Sequence, residues 1–578
     1  MYDQDNTGLK DEIFFGRKEE LKRLKEILKK VKKEGTKIIF IEGEAGIGKT
    51  SLVKNFTHIS EKLGFNFLSG TCQSETSDPY LPFKEAFNKY IEKKSEERTS
   101  SSMAFIGASR GQKAKDKEMF DAKKRETFYD TTNKVKEIAE EEPLVVFLDD
   151  LQWVDKATVD ILYYMNETLK GTPILFIGTY RPEDISEDHN LKEMMHRLRM
   201  RDKYEKIELG PLTSENTNKI VECILEDEDV PIDFIEKLHD KTEGNPLFIK
   251  ESLRQMLEDG VINPQEGKYP KREDEICFSE MVQNVIERRV NRLDDETIKI
   301  IEIGSIIGGE IPFDLLSKTA DIEVMSLLDQ IDILLENHLW DERPDNDSFY
   351  FSHKLIEDTV YNRLKRLKKK MIHKRIAKNI EELYEEEIED WYSELAIQNE
   401  KAENFKDAVD RYIDAGEKFE EMYATEDALE AYKKALQLAE SAGKELEERD
   451  IIEKIAKCYT LLGRYDDSRK YLEKGLELIK SDKEKQRVFR EMANTYYLQT
   501  EWEKCFEIIE KGLSISDENN SESAELLDLK GWAHLQNDEK EKAEAAFNKK
   551  KEIKEKLGDD DEDRDENVFL FPKNFAED

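Results

Sequence analysis

"KIIFIEGEAGIGKTSLVKNF", residues 37–56, starts as an apolar run, passes through glycines and leaves as a helix-like segment. Residues 37–42 read as a short buried strand, and Ser51 onward reads as a helix. Between them, Gly43-Glu44-Ala45-Gly46-Ile47-Gly48-Lys49-Thr50 fits the pattern G-x-x-x-x-G-K-[ST]. Glycines let such a loop turn its N–H groups inward around phosphates, and the helix N-terminus adds its partial positive charge. Lys49 can then reach the β- and γ-phosphates of a nucleotide, and the Thr50 hydroxyl can ligate Mg²⁺. Gly43 through Thr50, with Ser51 at the helix start, is therefore the candidate nucleotide-binding set. The competing reading is a glycine-rich turn with an incidental lysine. It leaves the strand before the loop and the helix after it unexplained.

A second motif supports the first. "LVVFLDDLQWVD", residues 144–155, is a core strand that ends in two aspartates. Asp149 is placed to hold Mg²⁺ through water, and Asp150 to polarise an attacking water. Asp150 is one methylene shorter than Glu, which sets its carboxylate about 1.5 Å further back. A displacement of that size slows an in-line attack. Alternatively, Asp150 only caps the following helix. A third strand, "PILFIGTYRPED" at 173–184, ends in Thr179, Tyr180 and Arg181. A polar residue there would lie beside the γ-phosphate, and Arg181 could sense it. The simpler alternative pairs Arg181 with a local carboxylate such as Glu183.

"FFGRKEELKRL" at 14–24, the loop, "SGTCQSETSDPYLPFKEAF" at 69–87, the paired aspartates, "GTYRPED" and "TEGNPLFIKESL" at 242–253 follow in one order. Together they resemble the signal-transduction ATPases with numerous domains, and within them the origin-recognition-type AAA ATPases found beside tetratricopeptide repeats. The resemblance implies an α/β P-loop NTPase domain followed by an all-α helical and winged-helix region and an α-solenoid (TPR-like) array. It implies ATP or ADP with Mg²⁺, slow hydrolysis and nucleotide-dependent self-association. It also implies that the proline of Gly244-Asn245-Pro246 packs on the nucleotide, and that His353, in "FYFSHKLIEDTVYNRL", touches the ADP β-phosphate. The domain boundaries expected on this basis are 1–182 for the ATPase domain, 183–275 for a helical lid, 276–355 for the winged helix and 356–391 for a basic connector. Repeats would occupy 392–556, and 557–578 an acidic tail. Residues 93–117 read as a mobile insertion, rich in Ser, Lys and Gly.

Composition narrows the partners. With 578 residues, 39% of them charged and a formal charge of −39, the chain is a poor polyanion binder. The winged-helix stretch "VMSLLDQIDILLENHLWDE" at 324–342, expected to hold two helices, has no Lys or Arg, which argues against an origin-recognition-like role on DNA. The basic run "RLKRLKKKMIHKRIAKN" at 363–379 is expected to pair with the acidic repeats. No apolar run approaches the roughly 18 residues of a membrane helix. Five scattered cysteines suggest a reducing cytoplasm rather than a disulfide framework.

From about 392 the chain alternates amphipathic helices. Small residues recur at crossing positions, with anchors Ala428, Ser468, Cys505 and Ala543 spaced by 40, 37 and 38 residues. Stacked helix pairs of this kind form a concave surface suited to a protein or peptide ligand, though a plain TPR scaffold with a structural nucleotide fits the same pattern. The tail, "GDDDEDRDENVFLFPKNFAED", carries an apolar hook at Phe569-Leu570-Phe571. No output domain is visible between the first motif and the tail, so output is expected to pass through a separate partner.

Overall fold

Strand β1 (Lys37–Glu42) is the hub of a parallel sheet that also holds β2 (Asn66–Thr71), β3 (Leu144–Asp149), β4 (Ile174–Tyr180) and β5 (Tyr204–Glu208). The order is β2-β3-β4-β1-β5, so β4 lies between the loop-bearing strand and the aspartate-bearing one. Parallel registers bring Glu42 opposite Tyr180 and Leu148 opposite Gly178, which aligns the functional ends of β1, β3 and β4 at one edge. Every residue of β3 and β4 is buried, as their uninterrupted apolar runs require when helices cover both faces. The computed structural model describes residues 14–73, 78–94, 117–199, 204–270, 282–343, 347–443, 445–515 and 520–557. Most of the expected insertion at 93–117, and the acidic tail, lie outside these residues.

Helices α1 (Lys18–Glu34) and α2 (Lys49–Lys62) bury Leu24, Ile27 and Val31, and Leu52, Val53 and Phe56, against Ile39, Val145 and Leu175 of the sheet. Helix α3 (Leu81–Lys94) packs on the sheet through Phe83, whose ring meets Phe176 edge-on. Its approach depends on Gly70, where a Cβ would fall 1.9 Å from the Pro82 carbonyl oxygen. Helices α4 (Lys117–Glu141), α5 (Lys156–Thr168) and α6 (Asn190–Arg199) complete the layer. A small helical domain follows. Its helices α7 (Ser214–Leu225), α8 (Ile232–Thr242) and α9 (Pro246–Glu258) share a core of Val221, Phe234, Leu238, Ile249 and Leu253.

The winged-helix region comprises α10 (Val282–Asn291), α11 (Asp295–Ile307), β6 (Ile311–Pro312), α12 (Phe313–Ala320), α13 (Val324–Glu336), β7 (Trp340–Arg343) and β8 (Ser348–Phe351). Its antiparallel sheet has the order β6-β8-β7. The stretch 324–342, expected to form two helices, is one helix and a strand. His338 takes a left-handed φ of 49°, and Trp340 then enters the core to stack on Phe349. Burial of that indole draws the chain into the sheet and ends the helical run. Helices α14 (Lys354–Arg363) and α15 (Arg366–Leu383) follow. On α15, Arg366 and Lys370 both pair with Glu403, and Lys368 pairs with Glu302, so these cations of the basic run meet acidic partners.

A first compact unit ends at Asp427, beyond α16 (Tyr392–Lys401) and α17 (Phe405–Glu421); a second begins at Ala428, inside α18 (Thr425–Ala442). The second unit stacks helix pairs: α19 (Glu445–Leu461) with α20 (Tyr465–Leu478), α21 (Asp482–Leu498) with α22 (Trp502–Ser514), and α23 (Ser521–Gln536) with α24 (Lys540–Leu557). Small residues stand at the crossings. The Phe547 ring fills the space a Cβ on Gly531 would need, 2.4 Å away, and Gly512 admits Leu526 and Phe489. Among the described residues no helix is long and apolar enough to cross a membrane.

Candidate nucleotide site

The loop from β1 to α2 turns on Gly46 and Gly48, at φ 75° and 97°. These are left-handed values that glycine takes without penalty. A Cβ on Gly48 would meet nothing within 4 Å, which leaves open space at the helix N-terminus where phosphate oxygens would lie. Lys49 is buried, and its Nζ donates to the carbonyls of Gly43 at 2.7 Å and Glu44 at 2.9 Å. Burial, followed by the charge of Arg181, lowers its pKa.

Thr50 and Asp149 meet across the sheet edge, with Oγ1 donating to Oδ2 at 2.8 Å. Thr179, at the end of β4, donates its hydroxyl to Asp149 Oδ1 and accepts the Asp150 N–H at 3.0 Å. Burial, and then the adjacent Asp150, push the Asp149 carboxyl up to about 6. A hydroxyl and a carboxylate oxygen together match the hard-oxygen preference of Mg²⁺, which takes few protein ligands and completes its shell with phosphates and water. These residues therefore fit the ion.

Asp150 does not cap the following helical turn. It sits at φ 56°, ψ 48° with no capping bond, and its Oδ1 accepts from Gln152 Nε2 at 2.8 Å. The cap of α5 is Asp155, which accepts the Thr158 N–H at 2.7 Å. Arg181 pairs with Asp184 at 3.7 Å rather than with Glu183. Its N–H donates to Gln152 Oε1 at 3.2 Å, joining the ends of β3 and β4.

Two more distant elements reach this edge within the same compact unit. Pro246 opens α9, and its neighbour Asn245 contacts the loop. Asn245 Nδ2 donates to the Ala45 carbonyl at 3.0 Å, and its Oδ1 caps α9 through Leu247 N–H at 3.1 Å. Gly46 is required there, since a Cβ would stand 2.8 Å from Leu247 Cβ. His353 caps α14, with Nδ1 accepting the Leu355 N–H at 3.1 Å. Burial first, then the positive charge of Arg181, lower its pKa to about 4, and the charges of Asp150 and Lys49 also act on the ring. The loop has one further tie that motif spacing did not flag. Buried Arg17, from the 14–24 stretch, donates through Nη2 to the Ile47 carbonyl at 3.1 Å and the Gly210 carbonyl at 2.7 Å.

Residues 13–177 match the AAA ATPase domain family. An uncharacterized protein of Rhizobium meliloti (strain 1021) is 23% identical over 308 residues; the match covers 51% of this chain but only 28% of that relative. Among solved structures, a Signal Transduction ATPase with Numerous Domains protein with a tetratricopeptide repeat sensor, from Pyrococcus horikoshii, is similar at 14% identity and a TM-score of 0.43. That likeness covers 96% of this chain and 78% of the other. The ORC2 protein of Aeropyrum pernix, in ADPNP and ADP complexes, is similar at 15% identity and a TM-score of 0.31, covering 65% of this chain and 97% of the other. In the ATPase domain, the ends of β1, β3 and β4 thus bring the phosphate loop, the paired aspartates and Thr179 to one edge.

Proposed function

We propose that this chain is a slow ATPase of the signal-transduction type, in which the bound nucleotide sets how the helical and winged-helix regions sit on the ATPase domain. The observation that carries the reading is that Asn245, from the helical region, bonds the Ala45 carbonyl of the phosphate loop, while His353, from the winged-helix region, feels the charges of Arg181, Asp150 and Lys49. ADP would hold these contacts closed. A protein or peptide ligand on the TPR-like repeats would favour the open form by binding it better, ATP would replace ADP, and the ATPase domains would associate.

The geometry supports a role for each residue in this reading. Gly43 to Ser51 would cradle the phosphates with backbone N–H groups, and Lys49 would turn from the loop carbonyls to the β- and γ-phosphates. Thr50 and Asp149 would hold Mg²⁺, which supplies charge neutralisation at the phosphates when bound. Asp150 would take a proton from the attacking water as its oxygen bonds to the γ-phosphorus. The bond from that phosphorus to the bridging oxygen breaks, and ADP leaves with the electron pair. Arg181 would read the γ-phosphate, and His353 the β-phosphate as a neutral ring.

The test is the nucleotide released when freshly purified, undialysed protein is denatured and chromatographed. Near-stoichiometric ADP is expected, with His353→Ala retaining markedly less. An empty site, in protein that turns over added ATP steadily, would overturn the ADP-held reading.

A further inference from the structure

Gln152, 3% exposed, has both ends of its amide engaged although no motif reading gave it a role. Its Nε2 donates to Asp150 Oδ1 at 2.8 Å, and its Oε1 accepts the Arg181 N–H at 3.2 Å. Its own carbonyl lies 3.1 Å from His189 Nε2. His189 Nδ1 accepts the Leu191 N–H at 3.2 Å, so a neutral ring carries its proton on Nε2 and donates to Gln152. Burial, the largest influence on that ring, lowers its pKa and keeps it neutral. A continuous chain of bonds thus runs from the start of α6, through Gln152, to the Asp150 carboxylate.

Asp150 is otherwise held only by its backbone. It sits in the left-handed region, which a non-glycine residue keeps only where its surroundings hold it there. Its N–H donates to Thr179 Oγ1 at 3.0 Å. Among the described residues, Oδ1 takes the Gln152 bond, and no hydrogen bond reaches Oδ2. One oxygen is anchored and the other is available.

We propose that Gln152 is a positioning residue for ATP hydrolysis: it fixes Asp150 Oδ1 so that Oδ2 is presented to the attacking water. The short aspartate side chain thereby gains a defined reach through its neighbour. The same amide holds the Arg181 backbone, so water and γ-phosphate are registered by one side chain. The inference rests on the reading of Asp150 as the water-polarising residue, and in the step it describes the water proton passes to Oδ2 as phosphate and ADP separate.

The experiment uses the full chain and measures phosphate release from ATP alongside binding of a fluorescent ATP analogue. The variants are Gln152→Leu, Gln152→Glu, Asp150→Ala and the double variant Gln152→Leu/Asp150→Ala. Gln152→Leu is expected to lower kcat about 10- to 100-fold, the scale of a 1 Å misplacement, with KM and analogue binding unchanged. In the Asp150→Ala background the same change should cause no further loss, because a residue acting through Asp150 has nothing left to position. Gln152→Glu keeps the shape but puts an oxygen where the Nε2 donor stood, so kcat should fall as in Gln152→Leu, with KM and analogue binding unchanged. This near-isosteric variant decides the matter if Gln152→Leu fails to fold. An unchanged kcat in Gln152→Leu or Gln152→Glu, or a further loss in the double variant, would overturn the proposal. Wild-type protein that binds the analogue yet releases no phosphate would instead remove the hydrolysis reading itself.

Discussion

Lys49 lies across its own loop, its ammonium held by two backbone carbonyls. An incoming phosphate has only to compete with neutral acceptors, and charge-assisted bonds to phosphate win that competition. Lys49→Ala should therefore bring the co-purified nucleotide to background and abolish phosphate release while unit 1 stays folded, as circular dichroism would report. Arg17 makes a different prediction, since it braces the loop from behind. Arg17→Met should leave two carbonyls without their donor at a cost of about 1.5–3 kcal/mol. Nucleotide affinity, measured by titration with a fluorescent analogue, should fall about tenfold. The lysine was readable from the sequence because loop and helix fix its position locally. Arg17, Asn245 and Gln152 were not, because each acts on a group that spacing does not reveal. Ala45 stands 200 residues from Asn245, and Gly210 193 from Arg17. A hydrogen bond to a distant carbonyl leaves no periodicity, and the bonds of Gln152 to Asp150 and Arg181 depend on how the ends of β3 and β4 come together.

At the scale of elements, the N-terminus of α9 reads the loop. Asn245 spans the two, capping its own helix and gripping Ala45. Asn245→Ala should cost about 1 kcal/mol as a lost cap. It should also speed release of a fluorescent ADP about 5- to 10-fold, which stopped-flow would measure. If the thermal midpoint fell while release stayed unchanged, Asn245 would be a cap alone. The sequence located this element through its Gly-Asn-Pro breaker and expected Pro246 on the nucleotide; the contact of Asn245 with the loop itself was not foreseen. The proline ring sets the first helical turn, and the side chain before it faces the loop. The misread winged-helix stretch has a similar cause. Residues 324–336 follow helical periodicity, and only burial of Trp340 against Phe349 and Phe351 shows that the next run is a strand.

At the scale of the whole molecule there are two compact units, one ending at Asp427 and the other beginning at Ala428. In the second unit, Gly531→Ala would place a methyl against Phe547, and overpacking of this kind costs about 1–3 kcal/mol. A calorimetric scan should show the transition of that unit moving down, with ATP turnover by the first unit retained.

The first unit ends on a different kind of contact. The Tyr80 hydroxyl donates to the Met422 carbonyl at 3.3 Å, and Phe120 meets Tyr423 edge-on. Beside them Asp427 buries an Oδ2 that has no hydrogen-bond partner among the described residues. Burial first, then the charges of Asp155, Glu426 and Asp160, raise its pKa well above the usual carboxylate range. Asp155 is itself raised to about 6, mainly by burial. A carboxyl with a raised folded-state pKa binds protons on folding. This pair's contribution therefore grows as pH falls from above about 6 toward 4, and it weighs against the folded form at pH 8. Asp427→Asn should raise the thermal midpoint of unit 1 at pH 8 and flatten that part of its pH dependence. An unchanged profile would mean that the two carboxyls do not share this burden.

A turn fastened over two buried carboxyls is tied to acidity. Whatever parts them gives back the water each has lost and frees the protons that folding had drawn in.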